Sequence, residues 1–275
     1  MLITALYLIP AVLTPLLAVA MRIGAGEERG ARIANVAVMI SFLFSWAVVV
    51  KAPWTPVDDF ARIGHIAIGA TVLGFALDFL TPKRLVAAIF AGIFVIGAVW
   101  SSVTDQLMPF VPTWDVAVLV AILVVVAFLV LARLDSMRAR DVTAPVLITV
   151  AALSIAFMAL IAGATGIFTG ALVLALAVVA YAVLQTAVTL PIGDALVLGA
   201  GSTLLALAWA LGHGFPDVRL PLLLVPLVFF AEGTARRIPL PKARISTILY
   251  PLVLAGMAAL PCALAVLIAY AMVRA

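Results

Sequence analysis

An all-α, polytopic bundle of ten transmembrane helices, with both termini periplasmic, is the fold class this sequence predicts, and two observations predict it. Hydrophobic residues make up 67% of the 275 positions. They recur in blocks of about 17 to 27, long enough to cross a hydrocarbon core of roughly 30 Å as helices. The second observation is the placement of the sixteen Lys and Arg residues, which fall almost entirely on one side of such a bundle.

The first span, 2–21, ends in Met21-Arg22. It is longer than the apolar core of a signal peptide, begins without basic residues and lacks a small-residue cleavage site, so it is expected to be retained. The second, 33–50, follows the charged stretch Gly26-Glu-Glu-Arg-Gly-Ala-Arg32, which reads as a solvated turn. The third and fourth, 61–77 and 85–101, flank Asp78, Thr81, Pro82, Lys83 and Arg84. The fifth, 114–131, runs into Arg133, Asp135, Arg138 and Arg140, and the sixth covers 143–163. The seventh, 167–189, leads into Pro191, Gly193 and Asp194, where the eighth, 195–212, begins. The ninth, 219–233, is followed by Arg236, Arg237, Lys242 and Arg244, and the tenth covers 246–272. No loop exceeds about 14 residues, so 1–275 reads as a single integral membrane domain.

The odd-numbered loops hold twelve cations: Arg22, Arg29, Arg32, Lys83, Arg84, Arg133, Arg138, Arg140, Arg236, Arg237, Lys242 and Arg244. The even loops and the C-terminus hold four: Lys51, Arg62, Arg219 and Arg274. Short cationic loops stay cytoplasmic, which puts both termini in the periplasm of a bacterial-type inner membrane. The net charge of +4 and the pI near 9.6 come from these loops. There the cations sit against anionic headgroups, so membrane lipid and no nucleic acid is the expected partner. The single cysteine, Cys262, lies in an apolar span and supports neither a disulfide framework nor a Cys-based metal site. His65 and His213 lie on the outer side, and interfacial placement explains them better than a metal site with two ligands.

Ionisable groups at membrane depth are expensive, so each of the twelve carboxylates is informative. Asp58, Asp59, Asp105, Asp115 and Asp217 fall in outer loops and read as solvated. Glu27, Glu28, Asp78, Asp135, Asp141, Asp194 and Glu232 fall on the cytoplasmic side. Asp78 closes the third span beside Lys83 and Arg84; Asp135 lies among Arg133, Arg138 and Arg140. Asp194 opens an apolar helix in a loop without cations, amid Gly193, Gly199, Gly201 and Ser202. A helix cap is one reading of Asp194, and a ligand site is the other. Topology brings Asp78, Asp135 and Asp194 to one membrane face, and converging carboxylates beside cations are what Mg²⁺ and a diphosphate need.

Two segments carry a family resemblance: Gly74-Phe-Ala-Leu77-Asp78 followed by Thr81-Pro82-Lys83-Arg84, and Gly193-Asp194 with Gly199, Gly201 and Ser202 beyond it. In order and topology the chain resembles the polyprenyl-phosphate N-acetylhexosamine-1-phosphate transferases. Asp135-Ser-Met-Arg138 is a fainter echo of that family's third motif. The resemblance implies a transfer onto polyprenyl phosphate from a nucleotide-linked amino sugar at the cytoplasmic face. Asp78, Asp135 and Asp194 are then the catalytic carboxylates, with Asp194 and Asp78 on Mg²⁺. Lys83, Arg84, Arg138, Arg236, Arg237, Lys242 and Arg244 are the phosphate-neutralising residues.

The motifs are degraded. Leu77 stands where the first Asp of a pair belongs, Arg138 stands where a second Asp belongs, and the family's Asn and His positions are missing. Losing one carboxylate from a metal and phosphate site is expected to reduce rate by orders of magnitude. The chain is therefore expected to be a divergent transferase or a member without catalysis.

Two alternatives stand beside it. A prepilin-peptidase-like aspartyl protease would use Asp135 and Asp194, and a non-catalytic membrane partner or transporter would need neither. A homodimer or a membrane-complex partner is compatible with any of these. Cysteines introduced by Arg29→Cys, Ala139→Cys and Leu240→Cys should label only from the cytoplasmic side; periplasmic labelling at any two would overturn the topology.

Overall fold

The computed structural model describes residues 7–51, 55, 59–107, 114–138, 142–188, 190–238 and 246–274. Among these residues the secondary structure is helical, with no strand. In chain order the helices are α1 (Ile9–Gly24), α2 (Glu27–Ile33), α3 (Val36–Ser45), α4 (Asp59–Leu80), α5 (Arg84–Leu107) and α6 (Trp114–Asp135). There follow α7 (Thr143–Ile161), α8 (Thr165–Ala187), α9 (Gly201–Gly214), α10 (Arg219–Leu222), α11 (Ala231–Ala235) and α12 (Ser246–Arg274). Two π-helical segments extend this set: Trp46–Val50 continues α3, and Ala195–Ala200 leads into α9.

Among the described residues, eight helical stretches are long and apolar enough to cross a membrane. Two shorter apolar helices, Ile9–Gly24 and Val36–Val50, overlap the first two expected spans, 2–21 and 33–50, and fall below that length. The expected third span, 61–77, extends to Leu80, so Asp78 lies in the last turn of α4 instead of following it. The ninth departs most from expectation. Between Pro216 and Ala235 the chain alternates short α turns with 3₁₀ turns at Pro216–Val218 and Val225–Phe230. Pro216, Pro221 and Pro226 recur every five residues there. Each removes a backbone donor and crowds the preceding turn, and three at this close spacing accompany the interrupted helix.

Burial grades from centre to edge. In the membrane-length stretches, 83% of the Ala195–Gly214 window and 67% of α7 are buried, against 17% for α5 and for α6. At the centre Trp46, 2% exposed, packs between Phe42 and Phe60, with ring centroids 5.6 and 5.0 Å away. This apolar core sits between two polar ends. At one end Asp59, at the start of α4, meets Arg62 at 3.5 Å and the His213 imidazole at the end of α9. His65 instead faces the carbonyl of Ala61 at 3.2 Å.

At the other end α4 crosses the Ala195–Ala200 segment in direct backbone contact. A Cβ at Gly74 would stand 2.5 Å from the Ala195 Cα and 2.7 Å from its nitrogen. Neither atom can rotate away, so glycine is what allows the crossing. Gly74→Ala should destabilise the bundle by about 2 kcal/mol or more, the scale of overpacking against an immobile neighbour. Gly97→Ala, where the added methyl meets nothing within 4 Å, should leave the unfolding midpoint in detergent unchanged or slightly raised; equal midpoints for the two variants would contradict the crossing.

A candidate carboxylate and guanidinium site

The segment that begins at Asp194 emerges from α8 through residues 190–193, and two side chains of α8 set its path. The Tyr181 hydroxyl donates to the Pro191 carbonyl at 3.0 Å, and the Gln185 amide donates to the Leu190 carbonyl at 2.8 Å. The helix that follows exposes its first N–H groups, which have no partner within the helix and no water to replace one at depth. Other helices supply the acceptors. Asp78 Oδ1 accepts from the Asp194 N–H at 2.7 Å, and its Oδ2 accepts from the Ala195 N–H at 3.0 Å. Asn35 Oδ1 accepts from the Leu196 N–H at 2.9 Å.

Asn35 completes the arrangement by donating to Asp78 Oδ2 at 3.2 Å and to the carbonyl of Arg32. A carboxylate in the last turn of α4 opposes its own helix dipole, but here it faces the positive end of the next helix. The fit leaves no space for a side chain between them. A Cβ on Gly193 would lie 2.3 Å from Asn35 Nδ2 and 2.5 Å from both oxygens of Asp78.

Asp194 occupies the N-cap position but makes no capping hydrogen bond with its side chain. Because Asp78 and Asn35 already serve the N–H groups, the Asp194 carboxylate turns outward and pairs with the Arg138 guanidinium. Arg138, in the turn after α6, also pairs with Asp135. Side-chain exposure rises along this chain of charges, from 15% at Asp194 through 29% at Arg138 to 59% at Asp135. Burial pushes the Arg138 pKa down, but the hydrogen bond it donates to Asp194 and the charges of Asp194, Asp135 and Asp78 outweigh it and hold it above the ordinary arginine value.

Thus Asp78, Asp135, Asp194 and Arg138, separated by up to 116 positions, come together at one end of the bundle. Lys83 and Arg84 are exposed at the α4–α5 turn and make no ion pair among the described residues. Arg236 lies elsewhere, bound at 2.9 Å to Glu232, while Arg237 is exposed. Lys242 and Arg244 lie outside the described residues.

Sequence reasoning missed Asn35, Arg133 and Glu232. Asn35 is the only asparagine in the sequence, placed at the head of an apolar helix, and that was the available signal. Glu232 is the one carboxylate within the expected ninth span, 219–233, and its side chain is 1% exposed between Arg133 and Arg236.

The donor chemistry does not fit the Mg²⁺ role that the resemblance implies for Asp78 and Asp194. Both oxygens of Asp78 accept backbone N–H groups, and Asp194 shares Arg138 with Asp135. A divalent cation would have to displace a guanidinium that repels it. Among the described residues no group of three or more His, Cys, Asp or Glu side chains is arranged to hold a metal. The same guanidinium stands between Asp135 and Asp194, so the two carboxylates do not share a proton across a direct contact as an aspartyl protease dyad does. In comparisons with known proteins, no family model and no curated protein sequence matches the chain.

The two carboxylates should respond differently to loss of charge. Asp78→Asn turns an amide donor toward a backbone N–H and leaves a buried donor unpaired, which should destabilise by about 1–3 kcal/mol. Asp194→Asn leaves Arg138 paired with Asp135 and should change stability by at most about 1 kcal/mol. Unfolding midpoints in detergent test the order; an equal or larger fall for Asp194→Asn would overturn the assignment of the cap to Asp78.

Proposed function

We propose that this chain is a ten-crossing inner-membrane protein, with both termini periplasmic, that binds a nucleotide-linked amino sugar and polyprenyl phosphate at its cytoplasmic face without turning them over. It is a silent counterpart of the polyprenyl-phosphate amino-sugar-1-phosphate transferases. The observation that carries this reading is the convergence of Asp78, Asp135, Asp194 and Arg138 on one end of the bundle. By charge that end is the cytoplasmic one.

The departures from the transferase pattern support binding over turnover. Leu77, where a metal-binding Asp would be expected, is 5% exposed and packed in the core. Arg138, where another Asp would be expected, places a fixed positive charge among the carboxylates. A guanidinium binds a diphosphate directly through paired N–H donors, so Arg138 would take over the charge-neutralising task of a metal in binding. Lys83 and Arg84, exposed at the neighbouring turn, would add to the same field. Asp78 has a positioning role, since it fixes the helix start from which Asp194 projects.

Purified protein should retain labelled UDP-N-acetylglucosamine, and Arg138→Gln should weaken that binding about tenfold or more, the scale of losing a charge-assisted bidentate contact. In membranes supplied with polyprenyl phosphate, sugar-phosphate transfer should be absent with and without Mg²⁺. Mg²⁺-dependent transfer abolished by Asp194→Asn would overturn the silent reading, and absence of nucleotide-sugar binding would overturn the family reading.

A further inference from the structure

A cleft of about 690 Å³ lies between α5, α6, α9 and the 219–230 segment, away from the carboxylate site. Its walls are almost wholly apolar, and several of the residues on its rim are largely exposed: Ile122 54%, Leu129 60%, Leu223 71% and Phe230 58%. In the apolar belt of a membrane protein these side chains face lipid, so the cleft opens sideways to the bilayer. Along α9 its wall runs from Ser202 to His213, a rise of about 17 Å at helical pitch. The wall is shorter than a hydrocarbon core roughly 30 Å thick and reaches His213 at the polar end opposite Asp78, where Arg219 also lines the cleft.

Arg133 lines the cleft at the end of the bundle shared with Asp135. Its Nε donates to the Phe229 carbonyl at 3.1 Å, and its Nη2 pairs with Glu232 at 3.2 Å. Glu232 also holds Arg236 at 2.9 Å, and the Phe230 ring lies 5.8 Å from the Arg133 guanidinium. One buried carboxylate thereby fixes two guanidiniums side by side and leaves the group net positive. Arg133 is 29% exposed and Arg236 50% exposed on their side chains, within reach of an anion at the interface.

We propose that this cleft binds an anionic glycerophospholipid, with one acyl chain between α5, α6 and α9 and the phosphate on Arg133 and Arg236. A wall of about 17 Å suits one acyl chain better than a long isoprenoid, and the net positive charge selects an anionic headgroup. The site is separate from the nucleotide-sugar reading and does not rest on it.

The test uses the full-length protein in detergent without nucleotide-sugar, with bound lipid counted by native mass spectrometry against phosphatidylglycerol, phosphatidylcholine, undecaprenyl phosphate and inorganic phosphate. Phosphatidylglycerol should be retained at least about fivefold better than phosphatidylcholine, the effect of one or two interfacial guanidiniums. Ala98→Phe, which fills the cleft from α5, should remove that retention. So should the triple change Arg133→Gln, Arg236→Gln and Glu232→Gln, which removes both guanidiniums and leaves no uncompensated buried charge. Retention unchanged in Ala98→Phe would overturn the chain site, and retention unchanged in the triple variant would overturn the headgroup site. Displacement by inorganic phosphate at equal concentration would make it a free-anion site, and undecaprenyl phosphate retained in preference to phosphatidylglycerol and lost in Ala98→Phe would place the isoprenoid in the cleft instead; either result overturns the proposal.

Discussion

Three successive backbone N–H groups, those of Asp194, Ala195 and Leu196, must find acceptors where water is scarce, and the end of the bundle is built around that need. Asp78 supplies acceptors from the last turn of α4, and Asn35 one from the position just before α3. An unpaired buried donor is expensive, so three helices are drawn together at a single point. Gly193 and Gly74 follow from this closeness, because any Cβ at either position would collide with the cap or with the Ala195 backbone. The π-helical start at Ala195–Ala200 is a second consequence, a local widening where an inserted partner holds the first turn.

Capping from outside frees Asp194. An aspartate at an N-cap ordinarily spends its carboxylate on the N–H groups of its own helix, and such a residue would be unavailable for chemistry. Here that work is done by Asp78, so the Asp194 carboxylate meets Arg138 and, through it, Asp135. The charge-bearing part of the site is thus Asp194, Arg138 and Asp135, while Asp78 is structural. The same economy of charge recurs at Glu232, which holds Arg133 and Arg236. In both clusters the cation is arginine, whose planar fork can serve two acceptors at once.

The two poorly buried helices, α5 and α6, stand in contrast to the packed centre of α7, α8 and the Ala195–Gly214 stretch. Few buried contacts at an element's flank are what permits a lateral cleft beside it. Proline spacing contributes on the opposite wall, where the 3₁₀ turns of Val225–Phe230 present short, irregular backbone instead of a continuous helical ridge.

The helices were legible in the sequence because a membrane leaves little choice: an apolar run of sufficient length must be helical to satisfy its own backbone. The meeting of Asp78, Asp135 and Asp194 was legible as well, since alternate helix ends must return to the same face. What each carboxylate does there was not. Asp78 and Asp194 look alike as acidic residues at the ends of apolar helices, and only the path of residues 190–196 past Asn35 makes one a cap and the other an ion-pair partner. Arg138 likewise reads as one cation in a basic loop until the fold places it between two aspartates. Hydrophobic period and charge bias are local properties carried along the chain, whereas hydrogen-bond assignment depends on which residues 43 or 116 positions apart come within 3 Å or so, and that is decided by packing alone.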